Sequence, residues 1–395
     1  MSKWKETELQ EVAEVQTGPF GSQLKNEQYV TGGTPVITVE HVKDFKIIDF
    51  DYPSITENDR NRLSKYLLKS GDIVFTRVGS VDLSAYVKEH QEGWMFSSRM
   101  LRVRPNLEAV NSRFLSYYFQ QKSFRDYILN ISVGATMPSI NTEILKEIPI
   151  TFPCLQIQSA IASVLSSLDD KIDLLQRQNA TLEKMAETLF RQWFVEEQKE
   201  GWKEGILDDI LTVKGGSTPI TGEPAYWNGT IHWTSPRDIT NLNGIYLFDT
   251  ERKITKLGLS KISSGLLPKG TLLMSSRAPV GVLAFSEVPI AINQGYIAIL
   301  DNKGYSKEFI YLWLKSNIDT VHSFSNGSTF MEISKSTFKT LQLLIPPKQT
   351  LNDFQLLIKP FFEKIKSGQS QICTLKALRD TLLPRLMNGE VTVEI

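Results

Sequence analysis

Two stretches of the chain carry apolar residues at alternating spacings of three and four, the pattern of a coiled-coil seam. The first covers residues 157–193 and the second residues 354–386. The seam positions expected to pair the two helices are Ile161, Val164, Leu168, Ile172, Leu175, Leu182, Leu189, Phe354, Leu357, Phe361, Ile365, Ile372, Leu375 and Leu382. Both stretches contain two successive spacings of four residues between apolar positions. The same interruption of the heptad pattern therefore occurs in both.

The sequence also marks where these helices end and where one is weakened. Gly201 follows the first apolar stretch and Asn388–Gly389 follows the second, and glycine is common just beyond a helix C-terminus. Within the second stretch, Pro360 and Gly368 lower helix stability. Because proline removes a backbone hydrogen bond inside a helix, we expect a kink near Pro360.

The chain contains an internal duplication. Residues 4–6 read Trp-Lys-Glu, and the same triplet returns at residues 202–204. Residues 134–137, Gly-Ala-Thr-Met, are matched by residues 327–330, Gly-Ser-Thr-Phe. The offset between the copies drifts along the chain, as expected when surface loops accept insertions and deletions. Each copy therefore consists of a globular part followed by a long helix.

The globular parts mix short strands with turns and a few helices. Strands are predicted at residues 73–75, 100–103, 148–153, 272–274, 296–300 and 341–346, and helices at residues 114–129 and 309–322. The fold class is therefore α+β, with two mixed α/β domains separated by two long helices. The predicted boundaries are 1–153 for the first domain, 154–200 for a central helical region, 201–347 for the second domain and 348–395 for a distal helical region.

Each long helix has an apolar stripe without an obvious partner in its own globular domain. The other long helix is the expected partner, because the two stripes have matched periodicity. We predict an antiparallel coiled coil that relates the repeats by a pseudo-two-fold axis. About forty helical residues at 1.5 Å each would form a strut of roughly 60 Å. The pattern leaves open whether the helices pair within one chain or between two chains.

Composition narrows the classes of protein that fit. The chain has 395 residues, which is ample for two domains. Lys and Arg together number 44, and Asp and Glu together also number 44. This balance gives no indication of a basic region that binds nucleic acid. A neutral chain would bind DNA weakly alone and would gain from partners that contact phosphates. Cys154 and Cys373 suggest no disulfide framework, and we expect a cytoplasmic protein without membrane association.

The sequence lacks the common catalytic motifs, which predicts a chain without an active site. Neither a phosphate-binding glycine loop nor a nucleophile elbow occurs, and the four histidines have no metal-ligand spacing. Asp249, Glu251 and Lys253 loosely resemble the acidic-x-Lys part of a nuclease site. Such triplets arise readily in a charged turn, and the first copy has no counterpart. We therefore expect neither a catalytic residue nor a bound metal.

The residues that carry a family resemblance lie mainly in the second copy. They are the run Leu266–Gly281, the run Gly327–Pro347 and the tail Leu382–Val391. With the duplication, these segments resemble the specificity subunits of type I restriction-modification enzymes over essentially the whole chain. The first copy departs from the second at Thr76–Ser80, where the second has Ser276–Val280. Such divergence is expected, because the halves of the DNA target usually differ.

The resemblance implies a function and a set of partners. In that family, two target-recognition domains each read half of an interrupted, asymmetric sequence in double-stranded DNA. The helical regions set the spacing and dock two methyltransferase subunits, which restriction-translocase subunits then join. It implies that this chain binds no cofactor, and that S-adenosylmethionine, ATP and Mg are used by the partner subunits for adenine methylation and DNA cleavage.

Base reading requires side chains that present paired donors and acceptors to a groove edge. Arg suits guanine, and Asn or Gln suits adenine. The DNA-binding candidates are polar residues of predicted loops: Ser22, Gln23, Lys25, Arg77, Ser98, Arg99 and Thr136 in the first copy, and Ser217, Thr218, Arg237, Ser276, Arg277, Asn293, Gln294 and Thr329 in the second. Arg277 is matched with Arg77, and both could instead contact phosphates or form structural ion pairs.

Two other classes of function remain open at this stage. One is a non-catalytic coiled-coil scaffold that joins other proteins without reading DNA sequence. The other is an enzyme with a nuclease site at Glu251 and Lys253. Neither the target bases nor the spacer length follows from the sequence.

Overall fold

A computed structural model describes residues 4–48, 50–134, 136–197, 202–301, 303–325 and 331–393. The chain divides into two compact units. The first unit contains residues 1–170 and 376–395, and the second contains residues 171–375. Each unit therefore contains a globular domain and segments of both long helices.

The first unit is built on small sheets and four short helices in the described residues. Its strands are β1 (Lys5–Glu8), β2 (Ala13–Thr17), β3 (Tyr29–Val30), β4 (Thr34–Ile37), β5 (Val42–Lys43), β6 (Lys46–Ile47), β7 (Ser54–Ile55), β8 (Ile73–Thr76), β9 (Ser84–Tyr86), β10 (Met95–Phe96), β11 (Met100–Pro105) and β12 (Pro149–Phe152). Its short helices are α1 (Glu57–Arg62), α2 (Ser112–Gln120), α3 (Lys122–Ile131) and α4 (Thr142–Lys146). The main sheets have the orders β2-β11-β8-β9 and β10-β4-β7-β3, and β1 pairs with β12.

The second unit repeats this plan. Its strands are β13 (Lys203–Ile206), β14 (Thr212–Lys214), β15 (Trp227–Thr234), β16 (Tyr246–Leu247), β17 (Arg252–Ile254), β18 (Leu272–Ser275), β19 (Leu283–Ser286), β20 (Ile290–Ile292), β21 (Tyr296–Asp301) and β22 (Gln342–Ile345). The sheet β14-β21-β18-β19-β16 corresponds to β2-β11-β8-β9, the sheet β17-β15-β20 contains the parallel pair β15–β20, and β13 pairs with β22. The structure thus confirms the α+β class and the internal repeat.

The predicted strands are confirmed, and the predicted short helices are each split in two. Residues 114–129 fall in α2 and α3, which are separated at Gln121. In the second unit, α6 (Leu207–Ile210), α7 (Pro236–Thr240) and α8 (Lys256–Leu259) precede α9 (Lys307–Ser316), α10 (Ile318–Ser323) and α11 (Lys335–Lys339). The predicted helix at residues 309–322 is therefore α9 plus α10. Asn111 and Ser306 cap α2 and α9 through side-chain oxygens that accept backbone N–H bonds.

The long helices are α5 (Leu155–Arg191), followed by a π-helical turn at Gln192–Glu196, and α12 (Lys348–Met387). α12 ends where Asn388–Gly389 predicted, and Gly389 has a positive φ of 71°. Helical structure continues from Arg191 through the π-helical turn to Glu196, and Gly201, the residue predicted to end this helix, lies outside the described residues. Pro360 lies inside α12, which continues on both sides of it.

Within the second unit, α5 and α12 run antiparallel to each other. Ile172 and Leu175 pack with Ile372 and Leu375. Further along α5, the rings of Phe190 and Phe354 lie 6.0 Å apart. As the residue number rises along α5, the residue number of its contact in α12 falls. Pairing therefore occurs within one chain.

The buried face of these helices is wider than the predicted seam. Leu357 is 39% exposed, whereas the neighbouring Ile358 is fully buried. Phe362 is 2% exposed, and it joins Ile358 in a core that also contains residues of α9 and the β-sheet. A helix that packs on a globular core needs a broader apolar face than a two-stranded coiled coil does. Leu357 is therefore not an inward-facing seam residue.

The remaining seam predictions take up inward or partly inward positions. The buried ones are Ile161, Ile172, Leu175, Phe354, Ile365 and Ile372, and the half-buried ones are Val164, Leu168, Leu182, Leu189, Phe361, Leu375 and Leu382. In the first unit, Ile161, Val164 and Leu382 belong to or pack against the domain core. In the second, Leu182, Leu189 and Phe361 pack against the corresponding core.

Candidate nucleic-acid interface

In the first unit, three loops leave the same edge of the main sheet. β11 is antiparallel to both β2 and β8, and Met100 lies opposite Thr76 while Leu101 lies opposite Thr17. The ends of β2 and β8 and the start of β11 therefore coincide. A fourth loop reaches this edge, since the backbone N–H of Ile140 donates to the carbonyl of Arg77 at 3.0 Å.

These loops enclose a cleft of about 470 Å³ that contains several of the predicted DNA-binding residues. Its walls are formed by Phe20, Arg77, Val78, Ser98, Arg99, Val133, Ser139, Ile140, Asn141 and Ile144. Arg77 is half-buried, and its Nη1 donates long hydrogen bonds to Thr17 Oγ1 at 3.4 Å and to the Ser98 carbonyl at 3.5 Å. Arg99 is exposed. Two cationic side chains and the hydroxyl groups of Ser98 and Ser139 therefore line the same cleft.

Phe20 is a cleft residue that the sequence analysis missed. Its side chain is 51% exposed, although it is a large aromatic group. Phe20 lies between Pro19 and Gly21 in a loop, and it was missed because the candidates were restricted to polar side chains. Aromatic rings at nucleic-acid interfaces stack on bases or insert between them.

The other candidates of the first unit lie outside the cleft walls. Ser22, Lys25 and Thr136 are exposed. Gln23 is engaged in the scaffold, because its Oε1 accepts the Tyr66 hydroxyl at 2.7 Å. The interpretation that Gln23 reads a base therefore competes with this existing hydrogen bond.

Backbone hydrogen bonds define which residues are equivalent in the two units. In the first unit, Arg77 N donates to the Arg99 carbonyl at 2.8 Å, and the Arg77 carbonyl accepts from Ile140. In the second unit, Ser276 N donates to the Gly295 carbonyl at 2.8 Å, and the Ser276 carbonyl accepts from Ile333. Arg77 therefore corresponds to Ser276.

The matching of Arg77 with Arg277 is accordingly wrong by one residue. Arg277 takes the position of Val78, since each forms an isolated bridge with the incoming loop, to Glu332 and to Ser139 respectively. Arg77 lies six residues after Gly71 and Ser276 lies six residues after Gly270, so the shared arginine type, and not the spacing, led to the mismatch. Arg277 is half-buried, whereas Ser276 is 3% exposed.

Two candidates of the second unit contact each other. The hydroxyl of Thr218 donates to Gln294 Oε1 at 2.7 Å. Gln294 is exposed, at the tip of the turn between β20 and β21. Gly295 and Arg99 accept equivalent backbone hydrogen bonds, so these two residues correspond. Gln294 and Ser98 directly precede them and therefore correspond as well.

Other polar candidates of the second unit stabilise this loop cluster. Asn293 Oδ1 accepts from the backbone N–H of Gly295 at 2.8 Å. Ser217 Oγ donates to the carbonyl of Lys261 at 3.1 Å and accepts from the backbone N–H of Ser263 at 3.0 Å. Arg237 is exposed on α7. Thr329 lies outside the described residues.

A close backbone approach fixes the first loop in each unit. A Cβ on Gly18 would lie 2.2 Å from the Ser97 carbonyl oxygen, and one on Gly216 would lie 1.9 Å from the Ile292 carbonyl oxygen. Only glycine fits where two backbones approach so closely. The two glycines therefore hold the loops after β2 and β14 against the turns that carry Ser98 and Gln294.

A buried tyrosine stabilises the loop cluster of the second unit. Tyr296 is 1% exposed, and its hydroxyl donates to the Ser235 carbonyl at 2.6 Å. Burial raises the pKa of Tyr296 well above its usual value, so the hydroxyl remains a donor. The Thr234 hydroxyl oxygen lies 3.0 Å from the Tyr296 hydroxyl oxygen. This network fixes the start of β21, which follows Gln294 and Gly295.

Two of the residues considered for a nuclease site, Asp249 and Lys253, form a salt bridge. Lys253 Nζ and His232 Nδ1 each lie 3.1 Å from Asp249 Oδ1. Glu251 is exposed, and its backbone N–H donates to Asp238 Oδ1 at 3.0 Å. Across the described residues, His, Cys, Asp and Glu side chains form no group of three able to hold a metal ion.

The fold and its loop clusters define a duplicated recognition module, and comparisons with known proteins identify its class. The family model described as "Type I restriction modification DNA specificity domain" matches residues 1–184 and 199–374. The chain therefore belongs to this family and contains two copies of its domain. Among the described residues, none of the helices combines the length and apolar character needed to cross a bilayer.

Individual relatives agree with this assignment. The type I restriction enzyme MjaIX specificity subunit of Methanocaldococcus jannaschii is 28% identical, with 99% of this chain and 94% of the relative covered. The HindI specificity subunit of Haemophilus influenzae is 23% identical over 83% of this chain and 88% of the relative. The crystal structure of a type I S subunit from M. genitalium aligns with a TM-score of 0.65 at 16% identity, covering 98% and 96% of the two chains. That last likeness supports the fold.

Proposed function

We propose that this chain is the DNA-recognition subunit of a type I restriction-modification complex and reads a two-part, asymmetric sequence in double-stranded DNA. The observation that carries the proposal is the repetition of the loop cluster. Each copy of the family domain presents a set of loops from one edge of its main sheet, and their polar side chains differ between the copies. Two different half-sites are the expected target of such a chain.

The side chains present suit recognition rather than catalysis. In the first unit, Arg77 and Arg99 offer guanidinium donors, which suit guanine or phosphate. In the second unit, Gln294 and Thr218 offer an amide and a hydroxyl. The acidic residue Asp249 is engaged by Lys253 and His232. The described residues therefore support a subunit that positions other enzymes on DNA.

The partners and cofactors follow from this role. We propose that two methyltransferase subunits dock on the helical regions, and that restriction-translocase subunits join them. S-adenosylmethionine, ATP and Mg would be used by those subunits, and this chain would bind none of them. The balanced charge of the chain, with 44 basic and 44 acidic residues, agrees with phosphate contacts supplied largely by partners.

The test is adenine methylation mapping in a methylation-free cell that expresses this chain with the methyltransferase encoded beside it. Modified adenines confined to one interrupted, two-part sequence are expected. Replacing residues 202–347 with the same region of a relative should then change only one part. If the two proteins co-purify and the methyltransferase is competent, absence of new methylation would overturn the proposal in favour of a coiled-coil scaffold.

A further inference from the structure

The side chain of Gln294 is exposed but is anchored by a neighbouring hydroxyl group. Its amide is anchored by Thr218, whose hydroxyl donates to Oε1 at 2.7 Å. The adjacent Asn293 is committed to its own turn through Gly295 N. Gly295 packs tightly, since a Cβ there would lie 2.8 Å from Pro236 Cγ. Gln294 therefore projects from a rigid turn.

We propose that the second unit reads an adenine through Gln294, and that Thr218 is the positioning residue for its amide. This inference rests on the proposed function. In the major groove, adenine presents the N7 acceptor and the N6 amino donor side by side. The Gln294 Nε2 group can donate to N7 while Oε1, which has a second lone pair, accepts from N6.

The same polarity disfavours guanine. Guanine presents two acceptors, N7 and O6, so Oε1 would face an acceptor without a proton between them. Rotating the amide would not help, because its oxygen would then face N7 instead. The Gln294 amide thus selects a donor-acceptor edge, and Thr218 holds that amide in place.

The first unit has no hydroxyl–amide pair at the positions equivalent to Thr218 and Gln294. Ser98 corresponds to Gln294, and Phe20, two residues after Gly18, corresponds to Thr218, two residues after Gly216. A serine hydroxyl can both donate and accept, so it does not distinguish the bases by a paired pattern. The positions of the first unit that are equivalent to Gln294 and Thr218 therefore carry no side-chain amide. Ser98→Ala provides the matched control.

The test uses the purified complex of the full chain with its methyltransferase. Its preferred duplex is identified first from methylation mapping, and binding is then measured to duplexes with each base pair replaced in turn. For Gln294→Ala, we expect discrimination at one A·T pair of the second half-site to fall by roughly 5- to 150-fold, the range expected for one bidentate contact. Thr218→Val should lower discrimination at the same pair by a smaller factor.

The controls separate this inference from the proposed function. Ser98→Ala should leave discrimination at that A·T pair unchanged. If Gln294→Ala alters discrimination at a G·C pair, or at no pair, the assignment to adenine is wrong although the wild-type complex still reads a two-part sequence. If the wild-type complex prefers no sequence, the proposed function fails and this inference fails with it.

Discussion

Asp169 and Arg379, which lie 210 residues apart in the sequence, form a hydrogen-bonded ion pair in the first unit, with Arg379 Nη1 at 2.9 Å from Asp169 Oδ1. The Tyr117 hydroxyl donates to the other carboxylate oxygen at 2.7 Å. One residue from α2, one from α5 and one from α12 therefore meet at this carboxylate. Burial and the carboxylate together raise the pKa of Tyr117 far above its usual value. The long helices are thus tied both to each other and to the domain.

Removing the cation from this cluster should destabilise the first unit. Both partners are mostly buried, with side-chain exposures of 21% for Arg379 and 17% for Asp169. Hydrogen bonds to charged groups contribute about 1.5–3 kcal/mol, so Arg379→Ala should lower the free energy of unfolding by about that amount. Urea denaturation followed by circular dichroism measures it. Arg385→Ala is the control, because Arg385 lies 4.0 Å from an exposed Glu390; equal losses for both variants would contradict the prediction.

The paired helices should be sensitive to truncation of the inward residues. Ile172 is fully buried against residues of α12, whereas Leu174, two residues further along α5, is 41% exposed. Ile172→Ala should cost about 2–5 kcal/mol, since it removes buried methyl groups and leaves a cavity. Leu174→Ala should change stability much less. Thermal unfolding of both variants distinguishes them, and similar melting temperatures would argue against packing of α5 on α12 at this position.

A side chain at Gly216 should displace the first loop of the second unit. A Cβ there would overlap the Ile292 carbonyl oxygen, which belongs to backbone and cannot rotate away. Gly216→Ala should therefore weaken recognition of one half-site while leaving the other intact. Gly222→Ala is the matched control, because no atom lies within 4 Å of its Cβ position. Binding to duplexes altered in one half-site at a time checks this, and a uniform loss over both halves would count against it.

The first unit should lose stability on acidification through His41. This ring is 2% exposed and stacks on Tyr52 with centroids 4.5 Å apart. Its Nδ1 accepts from the backbone N–H of Thr38 at 3.0 Å, a bond that the neutral tautomer makes. Burial lowers the pKa of His41 below its ordinary value of 6.5.

The sign of the pH effect follows from this direction. Because the folded pKa lies below the unfolded one, the stabilisation is complete above about pH 6.5 and is lost as the pH falls through the folded pKa. His41→Asn keeps an acceptor for Thr38 but does not titrate. Its stability should therefore vary less between pH 7 and pH 5 than that of the wild type, measured by urea denaturation. If the stability of the two proteins changes in parallel with pH, His41 is excluded as the source of the pH dependence. Asp238 takes the same capping position in the second unit, accepting from Ser235 N at 2.8 Å.

Residues of the loop clusters show where sequence reasoning was sufficient and where it failed. Arg77, Ser98 and Arg99 were selected as polar loop residues, and the structure brings them to one cleft. Phe20 was missed because exposure of an aromatic residue cannot be read from its type. Arg277 was matched with Arg77 because both are arginines after a glycine turn, whereas equivalence is set by backbone hydrogen bonds to loops distant in sequence, which pair Arg77 with Ser276.

The sequence by itself determined the elements and their repetition. Heptad spacing, alternating strands and the returning Trp-Lys-Glu triplet depend on local periodicity, which survives without knowledge of contacts. Only the tertiary structure decided which helix face is buried, as at Leu357 and Ile358, and which loop side chains meet, as at Thr218 and Gln294. Those outcomes depend on packing between residues distant in the chain, and burial and side-chain pairing are properties of that packing rather than of any local pattern.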